Sequence, residues 1–201
     1  MTRFIVTHDD GLTGDVDLKP LLEKVPAGMT VKGMFCARYV NAIGEDWEEI
    51  EDELQAPPKH GRYTAFDDYP MVDYLRLLDR AARNRFPRQS TREAYRLLGR
   101  GDAEVFAEST LGKVTFSMIK EPGAALARYP EIMRVLSRGM TTAEAQPAGT
   151  RAVKISFSRF VGAVEQTLGA LEGLVISFDA KPRTDVSLDG ERAELTVSWS
   201  A

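Results

Sequence analysis

The spacing of apolar residues changes along the chain, from mainly helical in the first two thirds to alternating in the last third. Residues 2–8, TRFIVTH, fit a short strand closed by the turn-like DDGLTGD, and LKPLLEKV (18–25) fits a short helix stopped by PAG. From Val31 onward, Met34, Phe35, Tyr39 and Ile43 recur at the helical period, with Gly44 where a C-terminal cap belongs. EDWEEIEDEL (45–54) continues as an acidic amphipathic helix around Trp47, Ile50 and Leu54 until APPKHG breaks it. In YPMVDYLRLLDRAARNRFP, Pro70 marks a helix start, where its missing N–H costs nothing. Val72, Leu75, Leu78 and Ala82 form a stripe there, Leu77 and Ala81 widen it, and Pro87 ends it.

Ser90 with Glu93 three residues later is a capping box for a helix that turns Ala94, Leu97 and Leu98 inward and stops at Gly99. A further helix, DAEVFAEST, starts on a capping Asp102 and ends near Gly112. KVTFSMI (113–119) satisfies both the strand and the helix pattern. After EPG, GAALARYPEIMRVLSRG reads as helix interrupted or restarted at Pro130, and TTAEAQPAG (141–149) reads as a loop. From Thr150 the alternation takes over: Val153, Ile155 and Phe157 give a half-buried strand that turns on Arg159 into the helix FVGAVEQTLGALEG. Gly162, Ala163, Gly169 and Ala170 let that helix pack close to a neighbour. LVISFDAK alternates again, and Asp189-Gly190 joins two further alternating arms as a hairpin.

Helices first and a sheet last predict an α+β fold: a helical part over 29–140 packed on a mostly antiparallel sheet of about four strands over 150–200, with one crossing helix. Residues 1–28 read as an N-terminal extension with a short strand and helix, and 29–201 as a single domain.

Composition narrows the function. A net charge of −4 over 201 residues argues against nucleic acid, which requires a basic face. The arginines at 76, 80, 83, 85 and 88 are spread along a helix amid acids and read as a solvated face. No apolar run is long enough to cross a membrane, and MTRFIVTHDDG does not resemble a signal peptide. The single cysteine, Cys36, sits in an apolar run and excludes an internal disulfide, so a cytoplasmic setting is expected. Neither His8, in a turn before two aspartates, nor His60, in the PPKHG loop, has the companions of a metal or nucleophile site. No catalytic constellation, metal site or cofactor motif emerges, and no enzyme is predicted.

VKGMFCARYV, the paired helices YPMVDYLRLLDRAARNRFPRQSTREAYRLLGRG, the FAESTLGK run and the closing ELTVSW together resemble a large myxobacterial paralogous family of unknown function. The same order is similar to haem–nitric-oxide-binding (H-NOX) domains, and more distantly to four-vinyl-reductase-type and vesicle-tethering domains. The resemblance covers roughly residues 30–200. It implies a helical part on an antiparallel sheet, a hydrophobic cavity between them, and pairing as dimers.

Haem-binding relatives need a histidine on a mid-chain helix and a Tyr-x-Ser-x-Arg motif for the propionates. Here residues 115–130 contain no histidine, and the motif reads Ile155, Phe157, Arg159. Tyr129 and Met133 are the remaining side chains of that neighbourhood with an atom that could ligate iron. No haem is therefore expected. Arg159 reads either as an end-of-strand arginine paired with a carboxylate or as the anchor of an anionic group. In the second case Ile155, Phe157, Phe160 and Val164 would line a pocket from the sheet side. Two functions follow. The first is a non-catalytic regulatory or sensory domain binding a small apolar or amphipathic ligand between helices and sheet. The alternative is a homodimeric protein–protein interaction module with a filled core, built on the acidic Trp47 helix and the small-residue helix 160–172.

Overall fold

The computed structural model describes the backbone of residues 4–6 and all atoms of 14–58, 62–140 and 143–201. His8 and His60 lie outside these residues. Strand β1 (Phe4–Val6) precedes helix α1 (Leu18–Glu23), which Asp17 caps by accepting the Lys19 N–H at 3.1 Å. Strand β2 (Thr30–Lys32) leads directly into α2 (Gly33–Ile43), so Val31 belongs to a strand and not to the helix its spacing suggests. Gly44, at φ 70°, ends α2 in a left-handed conformation. The acidic stretch forms a short α3 (Trp47–Glu51) whose Ile50 is buried. Strand β3 (Asp68–Pro70) opens onto α4 (Met71–Arg85), which carries the expected apolar stripe.

Helix α5 (Thr91–Glu108) begins on the predicted Ser90–Glu93 capping box and runs past Gly99 without a break, so the two helices read around Gly99 are one. Ser109 closes it and also caps α6 (Thr110–Phe116), accepting the Gly112 N–H at 3.0 Å, which settles 113–116 as helix. Helices α7 (Pro122–Ala127) and α8 (Tyr129–Leu136) meet just before Pro130, and α8 runs straight into β4 (Ser137–Arg138).

Residues 143–149 are strand β5 (Ala143–Gly149), not a loop. Their alanines, glutamate and proline carry little β signal, and pairing comes from the neighbouring β6 (Ala152–Phe157), with Pro147 tolerated at the sheet edge beside a bulge. Helix α9 (Val164–Ile176) takes up the first part of LVISFDAK, correcting the strand expected there. Leu171, Leu174 and Val175 fit the helical period and are buried, and Asp179 at φ 57° turns the chain into β7 (Lys181–Asp189). The hairpin to β8 (Arg192–Ser200) forms where Asp189-Gly190 places it. The large sheet is antiparallel in the order β1-β7-β8-β6-β5, with Phe4 opposite Leu188, and β3-β2-β4 form a small second sheet. The architecture is α+β.

Two apolar clusters result. One joins α1, α2, α4 and α5, and includes Val16, whose N–H donates to Thr91 Oγ1 at 2.7 Å. The other lies between the large sheet and α9, where Ile155, Leu195 and Val197 face Leu168, Leu171 and Val175. Helix α9 is thus apolar on its sheet face and must also pack on its other face, against α5. There a Cβ at Gly99 would overlap the Gln166 carbonyl oxygen, and one at Gly169 would overlap that of Arg96. The helices touch backbone to backbone. Beside this contact Glu172, fully buried, accepts from Arg96 Nε at 3.0 Å, Arg100 Nε at 2.9 Å and Thr184 Oγ1 at 3.1 Å. Burial alone would push its carboxyl up, but the two arginines outweigh that and hold it below its ordinary 4.5.

Two outcomes are expected. Gly99→Ala and Gly169→Ala each destabilise the fold by about 3 kcal/mol in urea unfolding, because an added methyl has no room between the helices. A carboxyl with a depressed folded-state pKa contributes stability above its unfolded value and loses it as pH falls through the folded one. The unfolding midpoint of the native chain should therefore drop more steeply below pH 4.5 than that of Glu172→Gln.

Candidate functional site

Where α5, α8 and α9 converge, the side chains leave a cavity of about 80 Å³. Its walls come from Phe35 of α2, Met71 and Tyr74 of α4, and Asp102 and Phe106 of α5, facing Tyr129, Met133 and Leu136 of α8. The corner Val161-Gly162-Ala163 and Gln166 and Thr167 of α9 close it. The small sheet supplies Val31 and Ser137, and none of the described residues of the large sheet lines it. The cavity therefore lies among helices, and Tyr129, Met133 and Leu174 border both it and the apolar cluster beneath the large sheet.

One pole is polar. Asp102 does not cap a helix; it sits less than two turns before the end of α5, 3% exposed and turned inward. Its carboxylate accepts from Arg38 Nη1 at 2.7 Å, Tyr39 Oη at 2.6 Å and Gln166 Nε2 at 2.7 Å. Tyr39 and Tyr74 share a hydroxyl contact at 3.1 Å, and Arg38 also donates to the Leu98 carbonyl at 2.8 Å. Burial pushes the Asp102 carboxyl up against the pull of Arg38 and the neutral donors, and burial also lifts both phenols far above their ordinary range. The cluster ties α2, α4, α5 and α9 together at one point. Tyr39 is legible in the sequence as a core position, but the acid it meets lies on another helix, and no local pattern links them.

The residues expected to form a pocket lie elsewhere. Ile155 and Phe157 are buried in the sheet–α9 cluster, Phe160 packs edge-on against Phe157 with ring centres 5.2 Å apart, and Val164 opens α9 beside them. These four are brought together, but as packed core, and none lines the cavity. Arg159 sits outside, in the connection from β6 to α9 and against the hairpin tip, where its Nε lies 3.4 Å from Glu191 Oε2 and the next N–H, of Phe160, donates to the Glu191 carbonyl at 2.6 Å. The pair is exposed, and such pairs contribute little. The adjacent Val161–Ala163, rather than Arg159, reaches the cavity.

Features that pointed to self-association are engaged within the chain. Trp47 packs edge-on against Tyr63, Glu49 pairs with Arg80, and the glycine at 169 faces α5. Cys36 is fully buried, and burial raises its thiol well above the ordinary range. Among the described residues no cluster of three or more acidic, histidine or cysteine side chains could hold a metal ion, and no helix is long and apolar enough to cross a membrane.

The family described as "Protein of unknown function (DUF2378)" matches residues 24–200. The chain belongs to that family. No curated protein matches it. Among solved structures, the chain is similar to an Fe(II) unliganded H-NOX protein from K. algicida, at 14% identity and a TM-score of 0.62, covering 85% of this chain and 97% of that one. It is also similar to an I5F mutant of the T. tengcongensis H-NOX, at 14% identity and a TM-score of 0.61, covering 85% and 98%. A third is an oxygen-binding H-NOX domain related to soluble guanylate cyclases, at 15% identity and a TM-score of 0.59, covering 85% and 95%. The likeness is one of fold.

That fold raises the question of haem, and the residues present do not fit one. The described cavity walls carry no imidazole; phenol and thioether side chains, Tyr129 and Met133, occupy the α8 wall. Sites for drug-sized ligands run to roughly 300–1,000 Å³, and a porphyrin is no smaller than such ligands. The cavity offers a fraction of that. Where propionates would need polar partners, Ile155 and Phe157 are buried among apolar neighbours and Arg159 pairs with Glu191 of the hairpin turn.

Asp102→Ala should destabilise the domain by about 3 kcal/mol or more, because it leaves a guanidinium, a phenol and an amide in the core without their acceptor. Urea unfolding checks this, and Asp102→Asn should recover part of the loss.

Proposed function

We propose that this chain is a non-catalytic regulatory or sensory domain that takes a small apolar ligand into the cavity among α5, α8 and α9, without haem. The observation that carries the reading is the cavity. Protein interiors are close-packed, and an unfilled void of this size costs about 2 kcal/mol in lost contacts. A ligand of the right size restores those contacts. Three methionines, Met71, Met133 and Met140, border the space, and their unbranched, adaptable chains suit a wall that must move to admit a guest. The haem-free part rests on the missing imidazole and on the apolar replacements at Ile155 and Phe157. A free, buried Cys36 supports a reducing, cytoplasmic setting.

Protein expressed with a haem precursor in the medium should purify without a Soret band, and a stoichiometric band overturns the haem-free reading. Xenon, which enters dry apolar cavities, should shift the methyl resonances of Met71, Met133 and Met140 saturably. No response at any xenon pressure overturns the cavity as a ligand site.

A further inference from the structure

We infer that the cavity selects a small, uncharged molecule bearing a hydrogen-bond acceptor (a short ketone, aldehyde, ester or alcohol) and that the Tyr129 hydroxyl reads that acceptor. This rests on the proposal that the cavity is a ligand site. Tyr129 is the first residue of α8, 5% exposed, and its ring is held edge-on against Phe157 with centres 6.4 Å apart. No hydrogen bond reaches its hydroxyl from any described residue. Nor is the oxygen among the buried polar atoms that packing seals off without a partner. The oxygen therefore keeps some open surface, and Tyr129 is one of the residues that line the cavity. A buried phenol without a partner forgoes a hydrogen bond that a ligand can supply.

The direction of that bond follows from the surroundings. Burial, and then the charge of Asp102 on the facing wall, hold the phenol above its ordinary range, so it remains a donor at neutral pH. Its partner must accept. Charge selection follows from the rest of the wall. No lysine, arginine or histidine is among the described residues that line the cavity, so an anion finds no counter-charge there and meets Asp102 instead. A cation gains little either, because the Asp102 carboxylate is already taken up by Arg38, Tyr39 and Gln166. The volume admits only a few non-hydrogen atoms before the methionines shift, being below the ~150 Å³ of an apolar cavity that takes up benzene. The anionic group considered for Arg159 is replaced by a neutral ligand, held in the cavity that Tyr129 lines.

The test uses the full chain with methyl-labelled methionines, titrated with 2-butanone, butyrate and xenon. Butanone should bind saturably and butyrate at least 10-fold more weakly. Tyr129→Phe should weaken butanone by about 3- to 10-fold, the range expected for one neutral hydrogen bond, and leave xenon uptake unchanged. This substitution removes only an unbonded oxygen, so the ligand-free thermal midpoint should not fall. In the native chain, the carbonyl carbon of labelled butanone should move downfield on binding, a readout that needs no variant. If xenon enters but Tyr129→Phe binds butanone as well as the native chain, if butyrate binds equally, or if the carbonyl resonance does not move, Tyr129 is not the reader and the cavity reading stands. If xenon does not enter, the cavity reading and this one both fall.

Discussion

The backbone contact between α5 and α9 is the constraint on which the remaining geometry rests. Helix α9 lies between the large sheet and the helical half, so it has no solvated face on which to place bulk. Glycines at 99 and 169 let each helix press against a carbonyl of the other, and the ion pairs of Arg96 and Arg100 with Glu172 flank that contact. A buried carboxylate is costly when alone and tolerable when bracketed by two guanidiniums and a hydroxyl. The same crossing brings Gln166 of α9 to Asp102 of α5, and so fixes the polar pole of the cavity. Had the helices been spaced by ordinary side chains, neither the pole nor the cavity beyond it would have its present shape.

Much of the fold was legible because it rests on local rules. The Ser90–Glu93 box, the stripe of α4, the alternation of β6 and the Asp189-Gly190 turn each decide their own element. Misreadings arose where a distant partner decides. Gly99 looks like a helix end but is a contact point for α9. Asp102 looks like a cap but is the acceptor of a cluster drawn from three other helices. Residues 143–149 look like a loop because the force that orders them is pairing with β6, not their own preference. The tail of α9 alternates like a strand, yet Leu171, Leu174 and Val175 fit a helix laid on the sheet equally well.

The candidate site was legible only in its neighbourhood. The resemblance points to the strand-to-helix corner at Arg159, and the cavity touches that corner two residues later, at Val161. Arginine there faces the hairpin tip, while the glycine and alanine that follow, lacking long side chains, leave the open volume beneath α8. The fold is similar to that of H-NOX proteins. Aromatic and aliphatic side chains fill the sheet side, and a void bordered by thioethers and phenols remains on the helical side.

The pairing of β1 with β7 joins the two ends of the chain, since Phe4 lies opposite Leu188. Closing a loop of nearly the full length is among the largest entropic demands the topology makes, whereas the β7–β8 hairpin closes over two residues. Loop-closure entropy therefore predicts that the N-terminal strand docks after the hairpin has formed. Until it does, the outer edge of β7 stays open, which makes that edge the point where a nascent or partly opened chain is most vulnerable to pairing with a neighbour.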